Sequence, residues 1–302
     1  MTKKLIRWGF MSLGALLVGC SNLPSLEGRS QTYAYTKEQV ADTYFAKALA
    51  PLEAKHGAGR SGIFPLIEAD DAFAARMMLA KHAQRSLDVQ YYIWQRDMTG
   101  TMLFEALHEA ADRGVRVRLL LDDNNTSNTD AVLAGLNGHE NIEVRLFNPF
   151  MLRKPRWWGF LTDFSRLNRR MHNKSMTADN SLSIIGGRNI GDEYFGATND
   201  VLFADLDVLS VGEAVRDVSA DFDKYWHSAS SYPLERVLTS GKALPLTRLR
   251  EHAEQIAASA GAQQYVESLR ESPFIAQLEQ GEVPFEWVNV RMVSDDAVKV
   301  LG

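Results

Sequence analysis

The chain has 302 residues, is 45% hydrophobic and carries a formal net charge of −5 at pH 7. That length suits one large or two modest domains with a sizeable core, and the acidic balance argues against a general nucleic-acid binder held by bulk electrostatics. The one cysteine, Cys20, excludes an intramolecular disulfide and a thiolate metal cluster built from this chain.

Residues 1–19 read as a signal peptide. Lys3, Lys4 and Arg7 form a basic start, and the apolar run 8–18 is too short to span a bilayer. The run ends in Leu17-Val18-Gly19-Cys20, which resembles a bacterial lipobox, where the cysteine is lipidated and becomes the new N-terminus. Ser21 follows in place of aspartate, which by the same resemblance favours a lipid anchor on the periplasmic side of the outer membrane. Residues 20–61, with Pro24, Pro51 and Gly57-Ala58-Gly59 around a weakly helical section at 37–49, read as a tether.

Strands are predicted at 62–67, 87–94, 115–121 and 142–147. Helices are predicted from a cap at Asp70-Asp71 to about residue 85, at 100–113, and near 130–136. Such alternation implies an α/β sheet with helices on its faces. His82 and Met78 read as packing residues, and a lone helical histidine, His108, receives no catalytic role. The cluster Asp122-Asp123-Asn124-Asn125 reads as loop and helix cap in preference to a metal site. Next comes a basic and aromatic segment, 148–170, in which Arg153, Lys154, Arg156, Arg166, Arg169 and Arg170 alternate with Phe150, Trp157, Trp158, Phe160 and Phe164. Two readings stand: a face for an anionic membrane or its lipid, or aromatics packed inward beside solvated cations.

Residues 171–189, MHNKSMTADNSLSIIGGRN, hold the chemistry. Alternation predicts a strand at 171–177 with His172, Lys174 and Met176 on one face, then a turn at 178–180 and a second strand at 181–185. The Gly186-Gly187 pair lets backbone approach a ligand, and Asn189 offers an amide. A neutral imidazole can attack phosphorus, an ammonium and an amide can hold non-bridging oxygens, and a carboxylate can orient an imidazole. Phosphoryl chemistry with these groups needs neither a metal nor another cofactor. Beyond it lie a strand at 205–211 bearing Asp205 and Asp207, which can orient a histidine or pair with arginines, a helix at 213–226, and a polar helical connector at 228–285.

The pattern His172-x-Lys174-x4-Asp179-x6-Gly186-Gly187-x-Asn189 resembles the HKD motif of the phospholipase D superfamily at every position. The flanking stretches 86–100, 114–125, 142–150 and 163–175 resemble its bacterial cardiolipin synthase branch. The resemblance implies a phospholipase D-like mixed sheet flanked by helices over 62–227, as one of the family's usual two halves. It implies His172, Lys174 and Asp179 as catalytic residues, with Lys174 and Asn189 on the substrate phosphate. The implied reaction is phosphatidyl transfer on glycerophospholipids through a phosphohistidine, and the implied partners are a phospholipid membrane and an anionic lipid substrate. Residues 286–302 run into Asp295-Asp296-Ala297 much as the strand at 62–67 runs into Asp70-Asp71-Ala72, and read as the start of a second half cut short. One motif where the family uses two implies that a second copy or a missing C-terminal half completes the site. Two alternatives remain, a phosphodiesterase or nuclease active only as a homodimer and an inactive lipid-binding fragment.

Overall fold

The computed structural model describes residues 23–126, 128–153, 155–198, 203–239 and 241–300, so the signal-peptide and Cys20 lipidation readings lie outside the described residues. Among the latter, nine strands form: β1 (Ser61–Leu66), β2 (Ser86–Ile93), β3 (Arg116–Asn125), β4 (Ile142–Phe147), β5 (Ser175–Ala178), β6 (Leu182–Gly186), β7 (Asp207–Gly212), β8 (Ser231–Pro233) and β9 (Glu286–Val288). They join in one mixed sheet of order β8-β4-β3-β2-β5-β6-β7-β1-β9. Among these strands β2–β3 and β3–β4 run parallel, each linked by a helix as a parallel crossover requires, and the other pairs are antiparallel. The β5–β6 hairpin enters antiparallel in the middle and carries the motif to the centre of the sheet.

Side-chain alternation assigns the two faces. On β3, Val117, Leu119 and Leu121 join the main core beneath helices Ala69–His82 and Met98–Asp112, whereas Leu120 joins a smaller cluster with Phe222, Tyr225 and Trp226 of helix Glu213–Trp226. That second face is partly polar. Arg118 donates to Asp88 through Nε and Nη2 at 2.7 Å each, pairs with Asp223 at 2.8 Å, and lies 4.8 Å from the Phe222 ring centroid. The buried cation is therefore both ion-paired and seated on an aromatic face.

The segment read as a tether is packed in place. Arg118 and Arg145 reach past the sheet to the carbonyls of Thr32 and Ser30, Arg29 donates to the carbonyls of Ser228 and Ser231, and Ala34 donates to Asp223. Helix Tyr44–His56 then buries Phe45 and Leu49 in the core. Polar composition hid this docking, because main-chain carbonyls serve as partners whatever the side chains are. The connector likewise forms helices, Leu246–Ala257, Ala260–Glu271 and Pro273–Gln280 among them, but these pack against the sheet-covering helices. The predicted strand in 286–302 is only three residues long. It adds to the edge of this same sheet beside β1. The predicted Asp70-Asp71 cap also fails: helix Ala69–His82 starts after Glu68 with no side-chain capping bond, and Asp71 accepts from Ser272 instead.

Candidate active site

The β5–β6 hairpin divides the motif between its two ends. Strand β5 begins at Ser175 rather than 171, because Met171 is drawn aside by its N–H donating to Asp122 at 2.9 Å. At the open end, His172 is solvent-exposed and Lys174 is buried. Both line a cavity of about 290 Å³ with Gln90, Asn173, Gly186 and Asp221. The sequence expectation that His172 and Lys174 face one space is met, although they stand in the lead-in to the strand. Lys174 Nζ donates to the His172 carbonyl at 2.7 Å and lies 5.6 Å from the Tyr92 ring, which in turn lies 4.9 Å from the imidazole.

Asp179 sits at the other end. With Asn180 it takes positive φ, 50° and 44°, in the tight turn where Ser181 N–H donates to the Ala178 carbonyl. At about 3.3 Å per strand residue, the five steps from Lys174 to Asp179 span roughly 16 Å. Its carboxylate is fully buried and accepts from the backbone N–H groups of Gln84, Arg85 and Ser86 at 2.7–3.2 Å. The structure thus sets Asp179 apart from the cavity that His172 and Lys174 share. Asp179 fastens the hairpin tip to the start of β2, so its effect reaches His172 only through the strand.

The glycine pair admits carboxylates. A Cβ at Gly186 would lie 2.1 Å from an Asp207 carboxylate oxygen, and one at Gly187 would lie 2.1 Å from an Asp205 oxygen. Glycine is thus needed at both positions for the 205–207 segment to close on the site. Asp207 takes the arginine-pairing option, accepting from Arg76 Nη2 at 2.8 Å deep in the core. Asp205 acts on the pair through its charge alone, which favours the protonated forms of Lys174 and His172. Burial outweighs that influence. Desolvation, then Lys174, holds the His172 imidazole below the ordinary histidine range, and desolvation lowers Lys174 to about 8. At neutral pH the pair is a neutral imidazole beside an ammonium.

Asn189 is buried, accepts from Ile93 N–H at 3.0 Å, and hydrogen-bonds Tyr194. It does not line the cavity that holds His172 and Lys174. Its present position ties the end of β2 to the loop after the motif.

The acidic cluster and the basic segment answer each other. Asp123 accepts from Phe150 N–H at 2.7 Å and pairs with Arg153, Arg156 pairs with Asp130 at 3.0 Å, and Arg170 pairs with Asp122 at 3.3 Å. Asp122-Asp123 thus ends β3 as a clamp on the segment that delivers His172, which corrects the loop-and-cap reading. Burial pushes the Asp122 carboxyl up to about 7 in spite of Arg170. Four of the six cations turn inward, while Leu152, Trp158, Leu161 and Phe164 are exposed. Lys154 and the Trp157 side chain lie outside the described residues. His108, buried and 3.1 Å from Glu105, packs as expected.

Sequence reasoning missed the far wall of the cavity. Met292, Val293, Ser294 and Asp295 line it, held by Ser294 bonding Asp221 and by Tyr225 Oη donating to the Asp295 carbonyl at 2.9 Å. No local pattern announces Asp221, which also accepts from Asn173 at 3.3 Å. Its alignment on helix Glu213–Trp226 beside Val218 was the one available signal.

The family of PLD-like domains described as cardiolipin synthase matches residues 77–226. Cardiolipin synthase C of Escherichia coli K12 is 51% identical over 260 residues, covering 85% of this chain and 54% of the relative. An uncharacterized protein of Helicobacter pylori 26695 is 33% identical over 256 residues, covering 82% and 49%. A cardiolipin synthase of Geobacillus kaustophilus is 31% identical over 176 residues, covering 58% and 33%. The chain spans about half the length, or less, of these curated relatives.

Proposed function

The chain belongs to the phospholipase D superfamily, in the PLD-like branch that includes the cardiolipin synthases, and on that premise we propose that it supplies one motif of a phosphatidyltransferase site. The observation that carries this reading is the shared cavity of His172 and Lys174, in which an exposed neutral imidazole stands beside a buried ammonium. In the first step the imidazole attacks phosphorus. A P–N bond forms, the P–O bond to the leaving alcohol breaks, and that alcohol takes a proton from a general acid. In the second step an acceptor alcohol or water attacks the phosphohistidine, giving its proton to the same group now acting as base, and the P–N bond breaks to return the imidazole. Lys174 neutralises the non-bridging oxygens. Asn189 reaches them only by giving up its contact with Tyr194, and Asp205 steadies the imidazolium. A glycerol-bearing lipid as acceptor gives cardiolipin, and water gives phosphatidic acid.

The test is incubation of the purified full chain, with and without a downstream second-motif segment, with labelled phosphatidylglycerol and analysis of the lipids by mass spectrometry. Product that His172→Ala abolishes is expected. Product unchanged in His172→Ala, or none even with the added segment, overturns the reading.

We further propose that a lipid on Cys20 holds the protein at a membrane, a reading supported by the exposed Leu152, Trp158, Leu161 and Phe164. Cys20→Ala is expected to move the chain from the membrane to the soluble fraction of lysed cells. Unchanged membrane recovery would sink the anchor.

A further inference from the structure

A larger cleft opens beside the site and shares Asp205 with its chemistry. It encloses about 680 Å³, within the range of about 300–1,000 Å³ typical of ligand sites, and its walls include Ile67, Arg188, Phe203, Asp205 and Leu206. Three observations describe what would fill it. First, large apolar side chains gather at this one place while facing water: Ile67 is 65% exposed, Leu206 52% and Phe203 48%. Scattered apolar residues need no account, but a group around a concave site marks a binding surface. Second, the wall holds a buried donor without an acceptor. Arg188 is 2% exposed, its Nη1 and Nη2 donate to the carbonyls of Leu66 and Ile67 at 2.9 and 2.6 Å, and its Nε has no partner. Leaving such a donor unpaired is costly, and a small shift of the Arg188 side chain toward an oxygen acceptor in the cleft would relieve it. Third, Asp205 belongs to both places. It lines this cleft and acts electrostatically on His172 and Lys174.

We infer that this cleft takes a fatty-acyl ester arm of the glycerophospholipid whose phosphodiester lies at His172, with an ester carbonyl on Arg188 and the chain along Ile67, Phe203 and Leu206. Charge selects the ester over a free fatty acid, because Glu68, Asp70 and Asp205 also line the cleft and repel a carboxylate. The inference rests on the phosphodiester reading of the His172 cavity.

Binding is measured by calorimetry on the full chain carrying His172→Ala, which prevents turnover at an exposed residue. The probes are glycerophosphoglycerol, dibutyryl- and dihexanoyl-phosphatidylglycerol below their micelle concentrations, and hexanoate. Each methylene buried is worth about fourfold in affinity, so two more on one chain should tighten binding by roughly 15-fold. Ile67→Ser with Leu206→Ser changes two exposed side chains and should flatten that gain to less than about threefold, leaving glycerophosphoglycerol binding as it was. No gain with chain length, or an equal gain in the double variant, overturns the inference, and hexanoate binding as tightly as the ester lipid overturns the choice of an ester. Failure to bind glycerophosphoglycerol counts instead against the phosphodiester reading, because the chain-length comparison between variants is made without it.

Discussion

Lys174 is the residue whose titration the site exposes most directly. Its ammonium is lowered to about 8, mainly by burial, so it is charged below that pH and neutral above it. The imidazole of His172 is held below the ordinary range, and it becomes a nucleophile only as pH rises through that lowered value. On a soluble phosphodiester, kcat/KM should therefore climb on the acid side as His172 loses its proton and fall above about pH 8 as Lys174 loses its own. Lys174→Arg keeps the charge across this range, and although its fork fits the space less well and lowers the plateau, the alkaline fall should move beyond pH 9. An alkaline limb that stays near 8 in Lys174→Arg would assign it to another group.

At the scale of elements, the hairpin explains why a motif with one spacing serves two purposes. Asp179 gathers three buried N–H groups at the turn while His172 and Lys174 sit at the open end. Asp179→Ala would leave those donors unpaired, at a cost of roughly 3 kcal/mol or a fall of about 5–10 °C in Tm. The residual activity should keep the parent pH profile. A profile that shifts with Asp179→Ala, at unchanged Tm, would restore a direct role in proton chemistry. The strands and helices of 62–227 were legible because apolar alternation and helical spacing are local signals, and the pairing of His172 with Lys174 was legible for the same reason. The docking of 23–56 and the Asp122–Arg170 and Asp123–Arg153 ion pairs were not. Each joins residues tens of positions apart, and composition records only that acids and bases are present. The basic segment shows the consequence: its cations are mostly spent on holding the loop before His172, and its exposed residues are apolar.

For the whole molecule, the geometry of displacement sets the remaining requirement. Attack by His172 places the leaving oxygen on the far side of phosphorus, so the imidazole that forms the P–N bond cannot also protonate that oxygen. Across the cavity stands Asp221, whose carboxyl burial pushes up, yet its two oxygens are engaged by Ser294 and Asn173. On the proposed reading, a second motif supplies the acid, either on a further stretch of chain or on a second copy related by a twofold axis. Subunit mixing separates these. If two copies of this chain share the site and each gives one histidine, equal amounts of wild type and His172→Ala, exchanged to equilibrium, leave active only the pairs in which both copies are wild type, about a quarter of the parent activity. If each chain works alone or with an added second-motif segment, the same mixture retains about half. Fusing the second-motif segment to the chain should then restore linear dependence on the wild-type fraction, because the acid would no longer have to be borrowed from a neighbour.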